Sequence, residues 1–363
     1  MEDRLRILVV RLSALGDVLF TLPAVRALRS VYPEALIDWV VEDKAAALLE
    51  REPSVDGLIV YPRRALARAL DSPAAFVAAV RALLAHARRL RRRTYHVILD
   101  FQGNLKSAAH LLLARGHRKL GFSRNHSRDA SFLMLSEGVT PHPTAQHRID
   151  KAMALATVLG AFPTPLLSPV CVGSAERSLA RSTIDALPDS SGPLVVLHPG
   201  TSVFGAFKRW PPDRFGLVAD HLVEAWRARV LVTWGPGEEP LARAAERAAT
   251  HPLTVAPPLP SLAVLAAILE QAQLFVGSDS APLHLAHFAG VPVVALFGPK
   301  DPAVYGPYAG NARVVQSLVP CSPCTRRRCS DALCMHEIAV DQVTRAADTL
   351  LEEHAALHRI TPR

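Results

Sequence analysis

Short β-rich apolar runs alternate with amphipathic stretches twice over in this chain, once in each half. In the first half the runs are Arg6 to Val10, Ala35 to Val41, Leu58 to Tyr61 and Val97 to Phe101, with helical spacing over Val18 to Ser30 and over Pro73 to Arg93. In the second they are Leu194 to His198, Val230 to Trp234, Leu274 to Gly277 and Val291 to Phe297, with helices beginning near Pro212, Glu238, Ser261 and Ala281. Apolar runs of strand length separated by helices are the mark of βαβ units, hence of parallel sheets covered by helices on both faces. The predicted fold class is therefore α/β, with two Rossmann-like domains facing across a cleft. Segments rich in Pro, Ser and Gly at Phe162 to Pro169 and Pro188 to Pro193 mark the connection, with a short strand and a helix inside it. The expected division is 1–172, 173–339 and a C-terminal helix in 340–363.

Half of the 363 residues are hydrophobic, enough for a full core and too many for a disordered chain. The start, with Glu2, Asp3 and Arg11 around a short apolar run, does not read as a secretory signal, and no apolar stretch reaches bilayer length. A cytoplasmic location with at most peripheral membrane contact is expected. Lys and Arg number 41 against 33 Asp and Glu, a net charge of +8 that favours an anionic partner: a nucleotide, an acidic glycolipid or nucleic acid. Four of five cysteines, Cys321, Cys324, Cys329 and Cys334, crowd into one CxxCx4Cx4C stretch. A CxxC can share a metal, but a zinc ribbon needs two such knuckles and only one is present. Reduced structural thiols or a labile disulfide are the reading, and no metal is assigned.

Open α/β sheets bind ligands beyond the carboxyl ends of their strands, so the loops after strands carry the chemistry. After the first run, RLSALGD offers Ser13 and Gly16 for a tight turn and puts Asp17 at a helix N-terminus, as a cap, a general base or both. No GxGxxG follows it and no GxxxxGK[ST] occurs, which argues against dinucleotide dehydrogenases and P-loop enzymes. A metal-binding DxD pair is also missing, so a diphosphate would be neutralised by amides, hydroxyls and a cation. Such groups stand in the second half. HPGTSVFGAFKRWP supplies Thr201, Ser202 and Lys208; TWGPGEEP supplies Glu238 and Glu239; GSDSAPLH puts Asp279, Ser280 and Ala281 at a helix start, with His284 one turn in.

These segments, with GDVLFTLPAVRALR, DFQGNLKSA and GVPVVALFGPKDP, run in order over nearly the whole chain. Together they resemble glycosyltransferase family 9, the ADP-heptose:lipopolysaccharide heptosyltransferases. The cysteine tail is similar to one found in many members and so belongs to the fold. The resemblance implies a GT-B architecture, metal-independent inverting transfer with no cofactor, and a C-terminal helix, about Val340 to Leu357, folding back on the N-terminal domain. It implies Asp17 as the base that deprotonates the acceptor hydroxyl and Lys208 on the departing diphosphate, beside Thr201 and Ser202. Asp279, Ser280, Ala281 and His284 would surround the sugar and phosphates, and Glu238 or Glu239 the ribose or adenine. Ala281, where glycine is common, and a longer insert between Ser202 and Lys208 depart from the pattern and bear on sugar identity.

The acceptor implied, the inner core of lipopolysaccharide, is anionic. Arg63, Arg64, Lys106, Arg124 and Arg128, in or just after strand-end loops, are the candidate cations for it, with Ser13 and Gly16 beside Asp17. Arg88 to Arg93 reads as a helix end near the anionic inner leaflet, and His86, His110, His117 and His126 as surface or structural residues. Two other readings compete: a transferase of this fold using another nucleotide sugar for a different cell-envelope glycan, and a basic nucleic-acid-binding protein with a four-cysteine zinc module. The latter leaves the polar strand-end loops unexplained and lacks a recognition helix, so nucleic acid is not an expected partner.

Overall fold

The computed structural model describes residues 4–162, 167–324, 326 and 329–360. It divides into two compact units, Met1–Leu166 and Leu167–Arg363, a boundary six residues before the expected one.

The first unit holds strands β1 (Arg6–Val10), β2 (Leu36–Glu42), β3 (Gly57–Tyr61), β4 (Thr94–Asp100), β5 (Arg115–Phe122) and β6 (Glu137–Val139). Its helices are α1 (Leu15–Val31), α2 (Arg63–Ala67), α3 (Pro73–Arg91), α4 (Leu105–Leu113) and α5 (Arg148–Thr157). The spatial strand order is β3-β2-β1-β4-β5-β6, all parallel. That is the doubly wound order, whose chain reversal lies between β1 and β4. Ile7 to Val10 of β1 and Val97 to Asp100 of β4 are buried on both faces, which is why they read as unbroken apolar runs. The helices start on local signals. Ser72 Oγ accepts from the Ala75 N–H at 3.1 Å ahead of Pro73, and Asn104 Oδ1 accepts from the Lys106 and Ser107 amides at 3.1 and 3.2 Å.

The second unit repeats the plan. Its strands are β7 (Leu194–His198), β8 (Arg229–Val232), β9 (Thr254–Val255), β10 (Leu274–Ser278), β11 (Val293–Phe297) and β12 (Ala312–Gln316). Its helices are α6 (Ser174–Asp185), α7 (Pro212–Trp226), α8 (Glu239–Ala248), α9 (Leu262–Leu269), α10 (Ala281–Phe288), α11 (Pro302–Tyr305), α12 (Leu333–His336) and α13 (Val340–Ile360). The order β9-β8-β7-β10-β11-β12, again all parallel, is the same doubly wound topology, with its switch point between β7 and β10. The helix expected in the connection is α6; the expected strand there is not formed among the described residues, and part of that segment lies outside them.

The C-terminal helix is part of its own unit's core. Val343, Ala347, Leu350 and Leu351 of α13 are buried in the core of the second unit with Trp210, Phe215 and Met335. Polar ties fix the same face: Trp226 Nε1 donates to Asp348 at 2.7 Å, His221 lies 2.9 Å from it, and Trp210 Nε1 donates to the Ile338 carbonyl at 3.0 Å. No helix among the described residues is long and apolar enough to cross a membrane.

Candidate active site

In the first unit the chain leaves β1 through Arg11, which is 7% exposed. Its Nη2 meets Asp17 Oδ2 at 2.7 Å, and its Nη1 donates to the Phe101 carbonyl just past β4. Burial works against the guanidinium charge, and the Asp17 carboxylate is the first group to oppose that. Asp17 sits in the first turn of α1 and accepts from the Ala14 N–H at 3.4 Å; Ala14, not Asp17, is the residue at the N-cap. The carboxylate thus closes half of a capping box and keeps its remaining surface for the solvent side.

The partner loop, after β4, is pinned by Asp100. That residue is 1% exposed; its Oδ1 accepts from the Gln102 and Gly103 amides at 2.9 and 3.0 Å, and its Oδ2 from Ser107 Oγ at 2.8 Å. Burial raises its carboxyl above the usual range despite these hydrogen bonds. Gly103 has φ +64°, a left-handed conformation that suits glycine. Gln102 Oε1 then accepts from the Leu12 and Ser13 amides at 3.0 and 3.3 Å, locking the two strand-end loops together. The DFQGNLKSA motif therefore fixes the turn that presents Asp17.

A cavity of about 330 Å³ opens at this switch point, with Arg11, Asp17, Thr21, Gln102, Asn104, His126, Arg128, Arg148 and Lys151 among its lining residues. Of the cations expected at the acceptor, only Arg128 lines it. Ser13 and Gly16 shape the turn instead. Arg63 and Arg64 are exposed at the start of α2, and Arg124 lies over the Phe132 ring at 5.8 Å. Lys106 is committed to Glu42, its Nζ 2.6 Å from Oε1. The sequence reading missed Arg148 and Lys151, which stand at i and i+3 in the first turn of α5 and so share a face. His126, read as a surface or structural residue, lines the cavity, whereas His86 and His110 are buried at 3% exposure.

In the second unit the residues after β7 and β10 meet. Lys208 Nζ bonds Asp279 Oδ2 at 2.9 Å and the Asp279 carbonyl at 2.5 Å, and His284 Nε2 lies 3.4 Å from Asp279 Oδ1. Burial disfavours the Asp279 charge, but the His284 hydrogen bond and the Lys208 ammonium outweigh it and hold the carboxyl at about 2. Ser280 is the N-cap of α10 and Ala281 its first residue; the hydroxyls of Ser278 and Ser280 are buried with no hydrogen-bond partner among the described residues. Donors, a cation and a helix N-terminus thus converge at one strand end.

Thr201 is buried, its Oγ1 donating to the Gly205 carbonyl at 2.8 Å, while Arg209 donates to its carbonyl at 2.6 Å. Ser202 is exposed and leads into a 3₁₀ turn, Val203–Lys208, which is the form the insert takes. Glu238, 7% exposed, accepts from the Gly235 N–H at 3.0 Å and lies 3.6 Å from His198. Burial raises its carboxyl, but His198 and the Gly235 amide outweigh that and bring it below the usual range. Glu239 instead pairs with Arg243 along α8 at 3.4 Å. Of the two candidates, Glu238 is the one joined to the β7 loop, since its carboxylate sits against Gly200.

Of the four clustered cysteines, Cys334 enters this unit's core with Met335 of α12, while Cys321 and Cys329 are exposed. All four thiols are free; burial pushes the Cys334 thiol up, and the other three add to the shift. Among the described residues no group of three or more His, Cys, Asp or Glu is placed to hold a metal ion.

Two doubly wound parallel sheets, each carrying its chemistry-bearing loops at a switch point, are the α/β units of a GT-B glycosyltransferase. The solved glycosyltransferase of family 9 from Veillonella parvula shares this fold with a TM-score of 0.76 over 97% of this chain and 99% of its own, at 24% identity. Escherichia coli heptosyltransferase WaaC, solved with ADP, gives 0.75 over 95% and 100%, also at 24% identity. In sequence, lipopolysaccharide heptosyltransferase 1 of Pseudomonas aeruginosa is 29% identical over 327 residues, 90% of this chain and 88% of the relative. The pattern of glycosyltransferase family 9 (heptosyltransferase) matches residues 83–334. The chain belongs to that family and is an enzyme of glycosyl transfer.

Proposed function

We propose that this enzyme moves heptose from ADP-heptose to the inner core of lipopolysaccharide, with inversion at the anomeric carbon. The observation that carries this reading is the Asp17 carboxylate, held by buried Arg11 at the wall of a cavity that Arg128, Arg148 and Lys151 make cationic. An acidic sugar acceptor suits such a cavity, and its hydroxyl would meet a fixed carboxylate there.

Asp17 takes the acceptor hydroxyl proton as that oxygen bonds to the anomeric carbon and the bond from that carbon to the diphosphate oxygen breaks. The leaving ADP carries the charge, which Lys208, the α10 amides and the Ser280 hydroxyl stabilise. Asp279 holds the Lys208 ammonium in place, and its second oxygen, towards His284, is available to a sugar hydroxyl. Glu238 serves the ribose. The named relative from P. aeruginosa is a lipopolysaccharide heptosyltransferase, which supports the donor sugar and acceptor chosen here. Because that acceptor is lipid-anchored, the enzyme works in peripheral contact with the inner face of the inner membrane.

Incubation with ADP-heptose and lipopolysaccharide core acceptors of graded length, with product mass measured, tests the proposal. One added heptose on an inner-core acceptor is expected. Transfer from UDP- or GDP-sugars in preference to ADP-heptose would overturn the donor assignment.

A further inference from the structure

Helix α3 carries an apolar face that nothing in its own unit covers. Only Ala79, His86 and Leu90 of its 19 residues are buried. Phe76, Val77, Val80, Leu83 and Leu84 are all exposed, Phe76 at 54% and Leu84 at 51%, and Leu70 in the preceding turn is 94% exposed. At about 100° per residue the buried three form one narrow stripe, and the five exposed apolar residues fill an adjoining arc of roughly 120°. Arg81, Arg88 and Arg92 occupy the next arc. A globular helix usually has two faces; this one has three, core, apolar and basic.

The charges choose the occupant. The helix has no Asp or Glu at all. Arg93, at its end, is spent on Asp38 at 2.8 Å, but no carboxylate among the described residues pairs with Arg81, Arg88 or Arg92. A protein partner or a second copy would need acidic groups opposite these arginines, and a second copy would set arginine against arginine. An anionic bilayer offers both requirements on one surface: acyl chains for the apolar arc and phosphates for the guanidinium groups beside it.

We propose that the exposed face of α3, led by Leu70, Phe76, Val80 and Leu84 and edged by Arg81, Arg88 and Arg92, is the element that seats this enzyme on an anionic lipid surface, lying in the headgroup layer parallel to the membrane. The inference deepens the peripheral membrane contact proposed above and rests on that reading for its purpose, since the acceptor is a glycolipid. Its chemistry stands on the helix alone. The basic run at the helix end, expected to lie near the inner leaflet, contributes Arg88 and Arg92 to this face.

The test is co-sedimentation of the full chain with vesicles of phosphatidylglycerol and phosphatidylethanolamine, and with phosphatidylcholine vesicles, at low and high salt. The wild type is expected to bind the anionic vesicles, weaken with salt and leave the zwitterionic ones. V80S/L84S should lower partitioning roughly tenfold, and R81Q/R88Q/R92Q should do the same while removing most of the salt dependence. Melting temperatures of both should match the wild type, because every altered side chain is exposed. Wild-type partitioning in either variant, or binding indifferent to lipid charge, overturns the proposal. So does self-association on sedimentation velocity that V80S/L84S abolishes while vesicle binding stays, which would give the face to a second copy. Transfer to a short, water-soluble acceptor separates the two readings: both variants should keep it, and its absence in every protein would sink the transferase assignment while leaving the vesicle result to decide the docking face.

Discussion

Arg11 and Asp17 form an ion pair of 2.7 Å in which the guanidinium side is 8% exposed and the carboxylate side 27%. The asymmetry matters: both groups line the cavity, but the cation is nearly buried at the sheet end while the anion is the more exposed of the two. An arginine cannot surrender its proton at neutral pH, so it stands as a fixed countercharge that aims the carboxylate.

Asp17→Asn is therefore expected to lower kcat by roughly 10²- to 10⁴-fold, the usual contribution of a general base. It should leave ADP affinity unchanged, because the residues proposed to hold the nucleotide lie in the second unit. The variant also deprives buried Arg11 of its countercharge, costing about 1–3 kcal/mol of stability, at the lower end because Asp17 is partly solvated. Turnover and ADP titration calorimetry read the first two effects and denaturant melts the third. Unchanged turnover would refute the base assignment.

Lys208→Ala should act on binding and chemistry together. The ammonium is bonded to Asp279 at the β7–β10 switch point, so on the proposed function its loss removes a charge-assisted contact to the diphosphate and leaves Asp279 repelling it. An ADP affinity weaker by roughly 10- to 100-fold is expected, with kcat lower by about 10²- to 10³-fold. Lys208→Arg should rescue only part, since a planar fork cannot reach the Asp279 carboxylate and its carbonyl as the ammonium does. Equal nucleotide affinity in wild type and Lys208→Ala would remove Lys208 from the donor site.

What the sequence revealed and what it hid follow from one physical difference. β1, β4, β7 and β10 are buried on both faces, so they stand out as apolar runs, and Asp17, Thr201 and Asp279 are found simply by reading past the ends of β1, β7 and β10. β5 was invisible because β6 covers only Leu120 to Phe122; its open first half carries Arg115, His117, Arg118 and Lys119 and has no apolar pattern. Arg148 and Lys151 were hidden for another reason. Helix α5 follows no strand of the site and reaches the cavity by packing on α1, a tertiary fact without a local signature. Lys106 shows the converse: its motif is at the site, but its side chain pairs with Glu42. The C-terminal helix was legible as a helix, and its partner was not, since an amphipathic pattern says how much must be buried and not against what.

Gly200→Ala offers a test of Glu238 that does not touch the carboxylate. A Cβ there would fall 2.1 Å from Glu238 Oε2 and 3.2 Å from His198 Nε2, so the glutamate must leave its pocket. The change should cost about 1–3 kcal/mol of stability through overpacking. It should also weaken ADP to the same degree as Glu238→Ala, with the double variant no worse than either single one. Additive losses measured by ADP titration would show that Gly200 and Glu238 act separately, and would end the assignment of Glu238 to the ribose.

The first unit should lose stability in mild acid, ahead of its carboxylates. His110 and His86 are buried at 3% exposure with ring centroids 5.1 Å apart, each Nδ1 on a backbone carbonyl and each Nε2 buried with no hydrogen-bond partner among the described residues. Burial is the main reason the His110 imidazole falls from 6.5 to about 4; the Lys106 carbonyl opposes it, while His86 and Lys106 charges add to it. His86 is lowered too, by burial and then Arg89 against the Val60 carbonyl. The unfolded chain therefore takes up these protons first. Stability from the neutral rings is complete above pH 6.5, declines as pH falls from there, and is spent near pH 4, where His110 titrates in the folded protein. The slope integrates to at most about 3 kcal/mol for His110. Denaturant melts from pH 7.5 to pH 4 read it directly. His110→Leu should flatten the curve over that window while keeping neutral-pH stability within about 1.5 kcal/mol, because the lost ring hydrogen bond is only to its own helix. An unaltered slope in that variant would mean His110 is protonated in the folded chain at mild acidity, with its ring open to water instead of packed against Tyr61 and His86.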